Sequence, residues 1–170
     1  MTHEQIIETL EAAFAGQLSD CDTAHGISSI TITAAANLKV LQFLYDSEDL
    51  QFRFLTDLTA VHYPNRTNEE LCVVYHLHSL YLNKRLRLKL YVPVAAPKVF
   101  TASKLFSGAN WMERETFDFF GVEFVGHPNL KRILNVDEMD YFPMRKEYPM
   151  EDPTRIDKDD EMFGRGGTIC

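Results

Sequence analysis

The densest group of ionisable side chains lies at residues 111–134, in the run WMERETFDFFGVEFVGHPNLKRIL. Glu113, Arg114, Glu115 and Asp118 fall within six positions, and His127 follows. Acid–base hydrolysis needs two carboxyls converging across a cleft. Glu113 and Glu115 do not face each other on a helix, so that chemistry is disfavoured. A metal centre would draw on His127 with Glu115, Asp118 or Glu123, but there is no H-E-x-x-H and no second His at ligand spacing. His76 and His78 fall on one face of an expected strand, which is compatible with a metal but too few ligands to hold one. Nucleophilic chemistry lacks a G-x-S-x-G elbow. Nucleotide binding lacks both G-x-G-x-x-G and a P-loop. Cys21, Cys72 and Cys170 are widely spaced with no C-x-x-C, so a zinc or iron–sulfur site built by this chain alone is not expected.

The element that positions the group is a helix expected from about Asn110 to Phe120, stopped by Gly121. Arg114 and Asp118 stand four apart and are expected to pair. Trp111, Phe117, Phe119 and Phe120 are expected to be buried, with the ion pairs fixed at an edge. Gly126, His127 and Pro128 then steer the chain away.

Before this helix the pattern reads helix, strand, helix, strands, hairpin. Thr2 and Gln5 form a T-x-x-Q capping box for a helix over 2–15, with Ile6, Ile7, Leu10, Ala13 and Phe14 on one side. GISSITITA is a β-branched strand. NLKVLQFLYD is a second helix with Asn37 as its expected N-cap. LQFRFLTDLTAVHYP is extended and ends at Pro64. LCVVYHLHSL and RLRLKLYVPV flank YLNK as a hairpin. Within it Leu86, Leu88 and Leu90 alternate with Arg85, Arg87, Lys89 and Tyr91, giving one apolar and one basic face. PKVFTASKLF is predicted as a helix over 97–106, with Pro97 at its first position and Val99, Ala102, Leu105 and Phe106 as its stripe.

The 170 residues carry a net charge of -8 and are 45% apolar, which excludes wholesale disorder and disfavours a nucleic-acid binder. Charge is uneven: residues 71–110 hold six bases and no acid. That stretch is either a solvated basic face or one that meets an acidic neighbour. No apolar run reaches the roughly 18 residues of a membrane span. The N-terminal residues lack a signal-peptide pattern, pointing to a cytosolic protein that meets membranes only through partners. After residue 126 both periods vanish, yet Met139, Tyr141, Phe142, Met144, Tyr148, Met150, Met162 and Phe163 remain. An arm that buries these groups on a partner accounts for both features. The expected organisation is α+β: a single compact domain over 1–126, helices on a small mixed or antiparallel sheet, then an extended partner-binding arm over 127–170.

The spacing E-R-E-x-x-D-F-F, six residues, H-x-x-x-K-x-I-L, at Glu113, Arg114, Glu115, Asp118, Phe119, Phe120, His127, Lys131, Ile133 and Leu134, carries a resemblance. It resembles the signature of the C-subunit family of proton-translocating NADH–quinone oxidoreductase, respiratory complex I. PMRKEYP, with Pro143, Arg145, Lys146, Tyr148 and Pro149, is similar to the family's P-L-R-K-D-Y-P, departing at Met144 and Glu147. His62 stands where the family usually has Asp. The resemblance spans about residues 38–152. It implies a member of the complex without catalytic residues or a cofactor of its own, the FMN, iron–sulfur clusters and quinone being held by other subunits. It implies an arm lying on the D subunit, which builds the quinone pocket with the B subunit, and a place at the cytoplasmic face of the cell membrane. Ferredoxin–plastoquinone complexes and membrane-bound hydrogenases carry similar subunits, which is the alternative reading.

Overall fold

A computed structural model describes residues 1–148. Helix α1 (His3–Ala13) begins with the expected reciprocal cap: the Gln5 N–H donates to Thr2 Oγ1 at 3.3 Å and the Thr2 N–H to Gln5 Oε1 at 2.8 Å. Strands β1 (Leu18–Asp22) and β2 (Ser28–Ile32) follow, then helix α2 (Asn37–Asp46). Strands β3 (Phe54–His62), β4 (Leu71–Ser79) and β5 (Lys84–Val92) complete the main sheet. The rest is β6 (Lys98–Phe100), helix α3 (Ala109–Phe120) and β7 (Glu123–Val125).

The five-stranded sheet has the order β1-β2-β5-β4-β3, with β2 and β5 parallel and every other pair antiparallel. Its register sorts the side chains. Leu86, Leu88 and Leu90 stand opposite Leu77, Tyr75 and Val73, all buried, and join Ile6, Leu10, Val40, Leu41 and Leu44 of the first two helices in one core. The other face carries the rows Asp57–His76–Arg87 and Phe54–His78–Arg85. The α+β class and the basic outer face of β5 are as the alternation predicts.

Two local expectations fail, and one strand appears where none was expected. The segment 97–106 is not a helix: Lys98–Phe100 pairs in parallel with Glu123–Val125 as a two-stranded sheet, and only one helical turn forms beyond it, with the Phe106 N–H on the Ala102 carbonyl at 2.9 Å. Val99 and Phe100 favour extended backbone, and a strand followed by a turn buries Val99, Ala102 and Phe106 as well as a helix would. Asn37 is not an N-cap. The preceding 3₁₀ turn (Ala34–Ala36) makes Ala36 the cap, and Asn37 is buried, its Nδ2 donating to the Phe100 carbonyl at 2.8 Å. It ties α2 to the small sheet. Strand β1 was not expected, because LSDCD has little apolar character; the β2 edge organises it.

Candidate docking surface

Helix α3 offers few apolar groups to the core and many polar ones to neighbouring loops. Gly121 ends it in the left-handed conformation, φ 77°, as expected. Phe120 is buried and Phe117 and Phe119 are half-buried, but Trp111, expected inside, is 61% exposed. Its ring lies beneath the Arg114 guanidinium, 5.1 Å from the centroid.

Arg114 and Asp118 do not pair. Arg114 reaches across the following loop, donating from Nε to the Lys131 carbonyl at 3.2 Å and from Nη2 to the Arg132 carbonyl at 3.1 Å. The partner of Asp118 is Arg132, whose Nη1 donates to Oδ1 at 2.7 Å. Asp118 Oδ2 accepts three consecutive backbone N–H groups, from Ile133, Leu134 and Asn135, at 2.8–3.0 Å. Asn135 Nδ2 adds a further bond to Oδ1 at 3.1 Å. Spacing of four makes the Arg114–Asp118 pair easy to form, yet a concave run of amides satisfies a buried carboxylate better than one side chain does. Burial pushes the Asp118 acid up, but the Asn135 and Leu134 amides and Arg132 outweigh it and hold the group well below the usual carboxylate range.

Glu113 lies one and a half turns earlier, fully buried. Oε1 accepts the Ala102 N–H at 2.6 Å and Oε2 accepts the Thr101 hydroxyl at 2.5 Å. It therefore holds the turn that leaves β6. Burial raises its pKa to about 7, against the weaker pull of those two donors. His127 is enclosed beside it, with Nε2 4.0 Å from Glu113 Oε2. The Asn129 N–H donates to His127 Nδ1 at 3.0 Å, so the ring proton sits on Nε2 and faces the Asn110 carbonyl at 3.1 Å.

The remaining signature positions divide. Glu115 points into solvent, Lys131 uses its carbonyl rather than its ammonium, and Ile133 and Leu134 are held by their amides. The second motif folds back on the same end of the helix. Pro143 is half-buried beside Phe142, whose ring meets Phe117. The Met144 N–H donates to the Phe119 carbonyl at 3.2 Å and Arg145 Nε to the Phe120 carbonyl at 2.8 Å. The Lys146 N–H donates to His62 Nδ1 at 2.9 Å, which gives the unusual His62 a definite task. Tyr148 packs on Tyr141 with ring centroids 4.9 Å apart, while Pro149, Met150, Met162 and Phe163 lie outside the described residues. Reading the sequence missed Arg132 and Asn135, and it expected Phe142 on a partner, whereas its ring packs on Phe117 of the same chain. The adjacent Lys131–Arg132 pair was a usable signal, since one of two neighbouring bases could reach a carboxylate on the helix.

These contacts make a clasp that presents Leu134, 66% exposed, Val136, 63% exposed, and Met144, all on backbone tied to α3 or its neighbours. Of the histidines of β4, His76 is engaged within the sheet: Nε2 accepts from Arg87 Nε at 2.8 Å and Nδ1 faces Asp57 at 3.5 Å. Among the described residues no three His, Cys, Asp or Glu side chains converge, and no helix is long and apolar enough to cross a membrane.

The model of the respiratory-chain NADH dehydrogenase, 30 Kd subunit, family matches residues 30–154, which include every element of the clasp. The chain belongs to that family. It is 39% identical to the C subunit of the NADH-quinone oxidoreductase of Citrifermentans bemidjiense, over 90% of this chain and 93% of that one. It is 42% identical to the mitochondrial NADH dehydrogenase [ubiquinone] iron-sulfur protein 3 of Candida albicans, over 78% of this chain and 47% of that one. Among solved structures it resembles the trypsin-resistant fragment (1-134) of Nqo5, with TM-score 0.62 and 29% identity over 74% of this chain and 99% of that one. A chain of the membrane-bound sulfane sulfur reductase, an archaeal respiratory membrane complex, shares the fold with TM-score 0.74 and 20% identity over 98% of this chain and 94% of that one.

Proposed function

We propose that this chain is a non-catalytic member of NADH–quinone oxidoreductase, respiratory complex I, that docks on and stabilises the quinone-site D subunit, with the B subunit nearby. It works at the cytoplasmic face of the membrane and leaves flavin, iron–sulfur clusters and quinone to other subunits. The observation that carries this reading is the use of the signature. Three of its charged residues, Glu113, Arg114 and Asp118, are spent inside the protein on holding loops. Glu113 is sealed behind Thr101, Ala102 and His127, and Asp118 behind five backbone and side-chain donors. Outside, the clasp leaves Leu134, Val136 and Met144 exposed among the charges of Asp137, Glu138 and Asp140. The arm over 127–170 then has two parts to play: residues up to 148 complete the domain's surface, and the remainder extends the contact with the D subunit.

The test puts charge into the exposed strip. Leu134→Asp combined with Val136→Asp leaves the isolated chain folded, because both side chains are already in solvent. The assembled complex should be lost, as judged by native gels and NADH:quinone activity of membranes. Wild-type levels of both would remove the docking role. The fold likeness to the sulfane sulfur reductase chain keeps a second reading open, an equivalent member of a related ferredoxin-linked or hydrogenase-type complex. The electron donor accepted by the purified complex separates the two.

A further inference from the structure

The end of the sheet away from the clasp carries a second surface that the signature does not include. The β4–β5 turn projects Leu80, 73% exposed, and Tyr81, 69% exposed, beside Phe54 on β3. These three rings and chains, with His78 and Arg53, line a hollow of about 230 Å³. His78 is also the wall of a neighbouring hollow of about 430 Å³, lined by His3, Asn83, Lys84 and Arg85. One depression is thus apolar and the next is cationic, and they share a side chain. The cationic one belongs to the stretch 71–110, which holds six bases and no carboxylate in a chain of net charge -8. On the far side of Tyr81 a third hollow contains Glu8 and Asp49, so the surface has a charge polarity across a few residues.

We infer that this hairpin end is a second docking site, for an acidic segment of a neighbouring subunit. The segment places one large apolar side chain among Phe54, Leu80 and Tyr81, and carboxylates beside Lys84 and Arg85. Apolar anchors in a pocket with a complementary charged rim are how protein interfaces obtain both affinity and register. A protein segment fits better than an anionic membrane, because Glu8 and Asp49 flank the same turn and a uniformly negative surface would be repelled there. The inference rests on the reading of the chain as part of a complex, and it makes the chain a connector with two separated faces.

The experiment uses the intact complex, purified from cells whose chain carries a photo-crosslinking phenylalanine analogue at position 81 or, separately, at position 136. Irradiation of the position-81 complex should yield a peptide of another subunit that is rich in Asp and Glu and contains a large apolar residue. Lys84→Glu with Arg85→Glu should lower that yield about tenfold without changing the position-136 product. A product at 136 with none at 81 leaves the docking role of the clasp standing and overturns this one. Products at neither position overturn both. A product at 81 that is not acidic, or that is indifferent to the charge reversal, also overturns the proposal. So does charge-dependent binding of the purified chain to phosphatidylglycerol vesicles with no crosslink at 81, since the surface would then serve a membrane.

Discussion

Glu113 and Asp118 are both buried on one helix, on different sides of it, and their surroundings push them in opposite directions. Glu113 receives two donors, and burial carries its pKa up to about 7. Asp118 receives three backbone amides, an Asn side chain and a guanidinium, and stays ionised far below the usual range. The difference is the number of donors each can recruit, which sets whether burial or hydrogen bonding wins. It also divides their work. Glu113 fixes a turn within the domain. Asp118 fixes the chain that leaves it.

The largest expected effect comes from breaking the better-served site. Asp118→Ala leaves Arg132 nearly buried without its partner and frees the amides of 133–135 from their acceptor. Removing one member of a buried ion pair costs about 3–5 kcal/mol. Denaturant unfolding should show that loss, and the loop 131–142 should become the first site of proteolysis. A loss below about 1 kcal/mol would mean that Phe142 and Arg145 hold the loop without the carboxylate.

The second effect sharpens the contrast through pH. The folded protein keeps the Glu113 proton more tightly than the unfolded chain does. Nothing is lost below about pH 4.5; stability then falls as pH rises to about 7, and is level beyond. The span corresponds to roughly 3 kcal/mol at 1.36 kcal/mol per pH unit. Glu113→Gln keeps an acceptor for the Ala102 N–H and offers a donor to Thr101, so its stability should be flat across that window and exceed wild type at pH 8. Asp118 behaves oppositely: its contribution is present above about pH 4 and disappears only in stronger acid. Parallel pH profiles for wild type and Glu113→Gln would show that Glu113 is not the group responsible.

Gly121 lies where the two regions meet. Its φ of 77° favours Gly, and a Cβ there would sit 2.6 Å from both Arg145 and Phe142. Gly121→Ala should therefore cost about 2 kcal/mol, from left-handed backbone strain and overpacking together. The damage should be directional: amide exchange should accelerate over 141–148 while α1 and β4 keep their protection.

How much of this was legible in the residues depends on range. Leu86, Leu88 and Leu90 announced β5 and its basic reverse face, since a two-residue period needs no knowledge of the rest of the fold. The Thr2–Gln5 cap and the Gly121 stop were equally local. Asn37 and the segment 97–106 were misread because their roles are set by partners far away in sequence: Phe100 for the first, the strand at Glu123–Val125 for the second. The clasp shows both cases at once. The resemblance to the family signature grouped Glu113, Asp118 and His127, but a helical wheel offers Asp118 only Arg114. Its true partner, Arg132, is brought in by a reversal of the chain that no local period encodes.

Trp111 gives the smallest effect on stability and the clearest separation of folding from docking. It is mostly in solvent, and it stacks with Arg114 at 5.1 Å, a contact worth about 0.5–1 kcal/mol at an exposed site. Trp111→Ala should therefore shift the unfolding free energy of the isolated chain by less than about 1 kcal/mol. Arg114 keeps its two carbonyl bonds in that variant, so the clasp itself should persist, with unchanged exchange over 131–135. On an interface an exposed Trp is a frequent anchor, and truncating one typically costs about 2 kcal/mol or more of binding. The variant chain should then be recovered folded but displaced from the complex at salt or detergent concentrations that wild type withstands. If it stays as firmly bound as wild type, the docking face does not extend to the first turn of α3. The strip around Leu134, Val136 and Met144 must then supply the contact alone.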